Sequence, residues 1–144
     1  MKKAYYLLLV SILSNPVHSA PLSKSGLVTL LCDMTRVPDK EILKFSLAFN
    51  ESEKTMHLNG LPVGHPIFTA IQISGKDRAE DATIPGVSRE LSVSLDRVSG
   101  KLSVMTLPVA TDGGEFTEWQ KEKITSRKFD PIFIGQCVPT KPMF

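Results

Sequence analysis

Cys32 and Cys137, His57 and His65, and the carboxylates Asp77, Glu80 and Asp81 are the residues whose types could do chemistry in this 144-residue chain. The histidines follow no H-x-H or HExxH spacing, and no third ligand is implied, so a metal site is not expected. His57 alternates with Met56 and Leu58 and should face solvent, whereas His65 sits in the turn-like Val63-Gly64-His65-Pro66. A calcium loop would need a D-x-D-x-D-G pattern, but Lys76 and Arg78 interrupt the three carboxylates, which read as a solvated loop. Serines are many, yet none lies in G-x-S-x-G or S-x-x-K or next to His57 or His65. Gly113-Gly114 is an isolated pair and not a phosphate loop, and Asn50-Glu51-Ser52, though it has the form of a glycosylation sequon, reads as a turn. The expectation is a protein that is not an enzyme and carries no cofactor or metal.

The cysteines are read as a structural pair. No CxxC is present, neither thiol lies in an electropositive stretch, and both lie in the part of the chain that would be exported. A Cys32–Cys137 bridge would tie the first expected strand to the last, with a chain-entropy stabilisation of up to about 4.7 kcal/mol.

Two surface features remain. Trp119 stands among Glu118, Gln120, Lys121, Glu122 and Lys123. Its ring could cover one end of the fold with Phe116 and Phe129, or act as an aromatic anchor with a charged rim in a protein interface. The segment Gly60-Leu61-Pro62-Val63-Gly64-His65-Pro66 is stiffened by two prolines and carries Leu61, Val63 and His65. Leu61, Val63, His65 and Trp119 are the candidate partner-binding residues, although apolar loop side chains can equally plug the end of a fold.

The elements that position these residues begin after an address. Lys2 and Lys3, an apolar run from Ala4 to Leu13 and a polar stretch to Ser19 have the layout of a secretory signal peptide. Ten apolar residues make a helix of about 15 Å, half of what a bilayer core of about 30 Å requires. Cleavage falls after Ser19 or after Ala20, residues 20–144 form a single β domain, and the short Lys-Lys start points to the periplasm. Without residues 1–19, fifteen basic residues balance fifteen acidic ones and no tyrosine remains. A neutral chain without tyrosine is a poor phosphate-tracking or base-stacking surface, so nucleic-acid binding is excluded.

The rest of the chain has strand periodicity. Leu43, Phe45, Leu47 and Phe49 alternate with wetter residues, as do Met56 and Leu58. Asn59-Gly60 is a turn dipeptide. Ile67 to Ser74 is expected as one strand and Gly75 to Ala82 as a charged loop. Leu91, Val93 and Leu95, the turn Arg97-Val98-Ser99-Gly100, and Leu102 and Val104 make a hairpin. Phe116 to Arg127 is ambiguous and is taken as a short helix; Ile132 to Val138 is a last strand. The fold class is all-β: a small antiparallel β-barrel or sandwich of about seven or eight strands, with one short helix, closed by a disulfide. An outer-membrane barrel lacks the aromatic girdles it would need, so no membrane span is expected in the mature chain.

The hairpin Leu95-Asp96-Arg97-Val98-Ser99-Gly100-Lys101-Leu102 and the ending Gly135-Gln136-Cys137 resemble small uncharacterised exported proteins of Gram-negative bacteria. These share a signal peptide, a D-R-x-[ST]-G-x-L hairpin and a terminal G-x-C. The resemblance implies a small β fold and no particular activity. In size and cysteine placement the chain also looks like the periplasmic lysozyme inhibitors of the small eight-stranded barrel type, without their Y-S-D-G loop. That likeness is one of fold. The function expected is non-catalytic binding of a macromolecular partner, another protein, as an inhibitor or immunity-type protein. The alternative is a carrier whose barrel interior, lined by Phe45, Phe49, Ile71 and Ile73, holds a small apolar ligand.

Overall fold

Alternation of large apolar and smaller polar residues produces the expected antiparallel architecture. The computed structural model describes residues 26–127 and 132–140; the signal-peptide reading, Phe129 and the tail beyond Thr140 lie outside them. Nine strands form one sheet: β1 (Leu27–Val37), β2 (Ile42–Asn50), β3 (Thr55–Leu58), β4 (Leu61–Pro62), β5 (Ile67–Phe68), β6 (Gln72–Glu80), β7 (Val87–Asp96), β8 (Lys101–Ala110) and β9 (Ile132–Pro139). Their order is β4-β3-β2-β1-β9-β8-β7-β6-β5. A helix, α1 (Glu118–Ser126), lies between β8 and β9 in the chain.

Every second residue of β1, from Val28 through Leu30 and Cys32 to Met34, is buried, and Leu47, Phe49, Met56, Leu58, Ile73, Val93, Leu95, Leu102 and Val104 complete the core. Cys32 and Cys137 face each other across the β1–β9 ladder and are bonded, as expected. The bridge staples the middle of the sheet, because the first and last strands are neighbours there.

Three expectations change. The strands number nine, and no ladder joins β4 to β5, so the sheet is open. The two edges are linked differently: the Val63 amide donates to the Met56 carbonyl at 2.9 Å, and the Lys76 amide donates to the Gly64 carbonyl at 2.9 Å. Ile67 to Ser74 is not one strand but a hairpin. The Thr69 hydroxyl accepts from the Gln72 amide and donates to the Gln72 carbonyl, both at 3.0 Å, which turns the chain. Phe68 therefore stands opposite the buried Ile73. Finally, Gly75 to Glu80 is strand and not loop, paired with Ser88 to Val93. Its charges are cross-strand partners on the sheet surface: Lys76 and Arg78 both bond Glu90, at 3.0 and 3.1 Å, and hold that carboxyl below its ordinary pKa.

The hairpin at Arg97–Gly100 and the turn at Asn59-Gly60 form as expected. Asn59 and Gly60 both have positive φ, the geometry of a tight two-residue hairpin turn. Helix α1 starts in a capping box: the Gln120 amide donates to the Thr117 hydroxyl at 3.2 Å, and the Thr117 amide donates to the Gln120 side-chain oxygen at 2.8 Å. None of its residues is buried.

Candidate functional site

One end of the sheet is a braced platform of turns. The Asp96 carboxylate accepts the amides of Val98 and Ser99, each at 2.8 Å, and these bonds hold its pKa below the ordinary value. The Gly100 amide donates to the Asp96 carbonyl at 2.9 Å. From β9, the Gln136 side-chain amide donates to the Ser99 carbonyl, and the Cys137 amide donates to the Gly100 carbonyl. Arg97 binds the neighbouring turns: its amide donates to Ile71 O at 2.9 Å and its guanidinium to Thr69 O at 2.8 Å and to Glu51 at 3.3 Å. The result is to fix Ile71 and Val98, 66% and 82% exposed, on adjoining turns.

A second site lies beside α1. A cleft of about 360 Å³ is walled by Ile84, Val87, Leu107, Pro108, Ile124 and Ile132, with Asp81, Arg89 and Arg127 among its lining. The Asp81 side chain is 3% exposed. One oxygen accepts from the Thr83 amide and hydroxyl (2.8 and 2.9 Å), the Ile84 amide (3.1 Å) and Arg127 (3.0 Å); the other accepts from Arg89 (2.9 Å) and from Arg127 again. Burial alone would raise the Asp81 pKa. The bonds from Arg89, from the Thr83 amide and hydroxyl and from Arg127 overcome that penalty and hold the carboxyl far below its ordinary range. With both oxygens engaged by donors and the proton held off, the group acts as an anchor and is unsuited to general acid–base work.

The residues singled out in the sequence fall on separate elements. Leu61 is 71% exposed on β4, and His65 is exposed in a turn at φ 47°. Val63, only 5% exposed, belongs to the core and supports its loop from beneath. Trp119 is 49% exposed on α1, with Lys123 Nζ 6.0 Å from the ring centroid. Of the side chains proposed to line an interior cavity, Ile71 points outward, Phe49 and Ile73 are buried in the packed core, and Phe45 packs on Phe133 with ring centroids 5.0 Å apart. Asn50 of the sequon is 3% exposed, and its side-chain oxygen accepts from Ser52 and Glu53. Among the described residues no group of three or more His, Cys, Asp or Glu could hold a metal, and no helix there is long and apolar enough to cross a membrane.

Sequence reasoning missed Ile71 and Val98 as an exposed pair, and also the Asp81 cluster. Its only local signal is Asp81-Ala82-Thr83, the form of a side-chain-capped turn. Comparison with protein families, with curated proteins and with solved structures returned no match. What the fold defines is a class: an antiparallel β protein with, among the described residues, one short helix and a disulfide between the first and last strands.

Proposed function

We propose that the chain is a non-catalytic binding protein of the periplasm that acts on another protein, as an inhibitor or immunity-type protein does. The observation that carries this reading is the pair of bare aliphatic side chains, Ile71 and Val98, on turns that Arg97 ties together. Exposed apolar tips on a pre-braced scaffold lose little freedom on docking, which is what a tight protein contact needs. Leu61, His65 and Trp119 are further contact candidates. In this reading the nine strands work as a small barrel, with residues 61–68 spanning the seam, a view supported by the Val63–Met56 and Lys76–Gly64 hydrogen bonds.

Native mass spectrometry of the protein taken gently from the periplasm tests the reading. The expected result is a stoichiometric protein adduct that weakens tenfold or more in Ile71→Ser/Val98→Ser while the melting temperature holds. An adduct indifferent to both substitutions overturns the site, and a bare monomer overturns the partner. A retained small molecule would favour the second reading, an apolar-ligand carrier, which the cleft beside α1 supports.

A further inference from the structure

Helix α1 is held to the sheet in an unusual way for a helix in a folded domain. Helices ordinarily stay in place by burying an apolar face, and α1 buries no residue. Its attachments are polar and few. The Gln120 side chain donates to the Pro85 carbonyl at 3.0 Å, and the Arg127 guanidinium, just past the last turn, forks onto the Asp81 carboxylate. Between these two points Ile124, itself only partly covered, lines the cleft of about 360 Å³ together with Ile84 and Val87.

The chain entering the helix has a pinned side and a loose side. Thr111 is fixed, its amide donating to Gly86 O at 3.0 Å and its hydroxyl sharing a hydrogen bond with Ser88 at 2.9 Å. Past it come Gly113 and Gly114. Gly113 is at φ 76° with open space where a Cβ would stand, and the bonds of the pair stay within their own turn: the Gly113 amide donates to the Ala110 carbonyl at 3.0 Å and the Gly114 amide to the Asp112 carboxylate at 2.9 Å.

We propose that α1 is a hinged lid over this cleft, turning about Gly113-Gly114 and latched by Arg127 on Asp81, with Gln120 on Pro85 as a second, weaker catch. Asp81 does not move with the lid. It is also bound to the amides of Thr83 and Ile84 and to Arg89, so opening leaves its own loop formed and exchanges only the Arg127 bonds for water. Local openings of this kind lie below global unfolding in free energy wherever few apolar contacts must be broken. The lid does not rest on the protein-partner reading above: Arg127 and Gln120 carry it, and Arg97 has no part in it.

The test is a thiol placed under the lid. Ile84 is 2% exposed and lines the cleft, so Ile84→Cys reacts with iodoacetamide in the native protein only when the lid lifts. Cys32 and Cys137 are bonded and do not compete. Val93→Cys, at a core position that is 0% exposed, reports global unfolding in parallel. Adding Arg127→Gln should raise labelling at position 84 tenfold or more, and adding Gln120→Ala about threefold, with position 84 labelling at least tenfold faster than position 93 in every variant. If position 84 labels no faster than position 93, or if neither Arg127→Gln nor Gln120→Ala changes its rate, α1 is a fixed part of the fold and the lid is refuted. Gln120 is only partly covered, so its variant folds even if Arg127→Gln proves too unstable to study.

Discussion

Gly135 on β9 lies so close to β1 that a Cβ built on it would overlap the Asp33 carbonyl oxygen and stand 2.7 Å from both the Asp33 carbonyl carbon and the Met34 Cα. Two residues further on, Cys137 meets Cys32. The Gly-Gln-Cys ending thus has a mechanical sense. The glycine lets the last strand settle against the first, and that register brings the two sulfurs together. Gly135→Ala must push backbone against backbone, where nothing flexible can give. It should cost about 3 kcal/mol or more, the upper end for overpacking, read as a fall in the urea midpoint. A variant as stable as the parent would show that β9 can shift without penalty.

The bridge itself should matter more than its place at mid-sheet suggests. It joins residues 105 apart in sequence, so it constrains nearly the whole unfolded chain. Cys32→Ala/Cys137→Ala is expected to lose about 2–5 kcal/mol. The parent, denatured without reductant, should show no titratable thiol.

Asp81 sets an acid-side dependence. Its carboxyl is far more acidic folded than unfolded, where it would titrate near about 3.9. The stabilisation is therefore complete above about pH 5 and is lost as pH falls below the unfolded value toward the folded one. Asp81→Asn leaves Arg89 and Arg127 facing an uncharged amide and should cost about 3 kcal/mol at pH 7. The difference between variant and parent should shrink steadily from pH 5 to pH 2, measured by urea midpoints at each pH. A constant difference would mean the carboxylate charge is not what holds the cluster.

How much of this was legible in the sequence depends on how local each cause is. Leu43, Phe45, Leu47 and Phe49 announce β2 because burial of one face is written at every second residue. The start of α1 is equally local, a capping box of Thr117 and Gln120 over four consecutive positions, yet that box does not enter the reading of Phe116 to Arg127, which stays ambiguous. Lys76, Asp77, Arg78 and Glu80 suggested a loop for the reason that makes them strand: their charges sit on an exposed sheet face, and the partner for Lys76 and Arg78, Glu90, is supplied by another strand. The Ile67–Ser74 alternation hid a turn, since Thr69 and Gln72 bond each other and the period-2 pattern runs on regardless. The Asp81 cluster draws its arginines from 8 and 46 residues away, so no window along the chain contains it.

Trp119 offers the cleanest separation of a stability role from a surface role. A lone tryptophan usually anchors a core, and its loss then costs about 3–5 kcal/mol. Here the ring is half exposed on a helix that buries nothing, and among the described residues its defined partner is the Lys123 ammonium at 6.0 Å. An exposed contact of that kind is worth about 0.5–1 kcal/mol. Trp119→Ala should therefore leave the melting temperature within a few degrees of the parent, whereas Leu102→Ala, at a position that is 0% exposed, should lower stability by about 2–5 kcal/mol. If Trp119→Ala instead matches Leu102→Ala, the ring is part of the packing that keeps the molecule folded and is not available to a partner. If the melting temperature holds and the periplasmic adduct still weakens tenfold, the tryptophan is a contact residue whose conformation the fold supplies without depending on it.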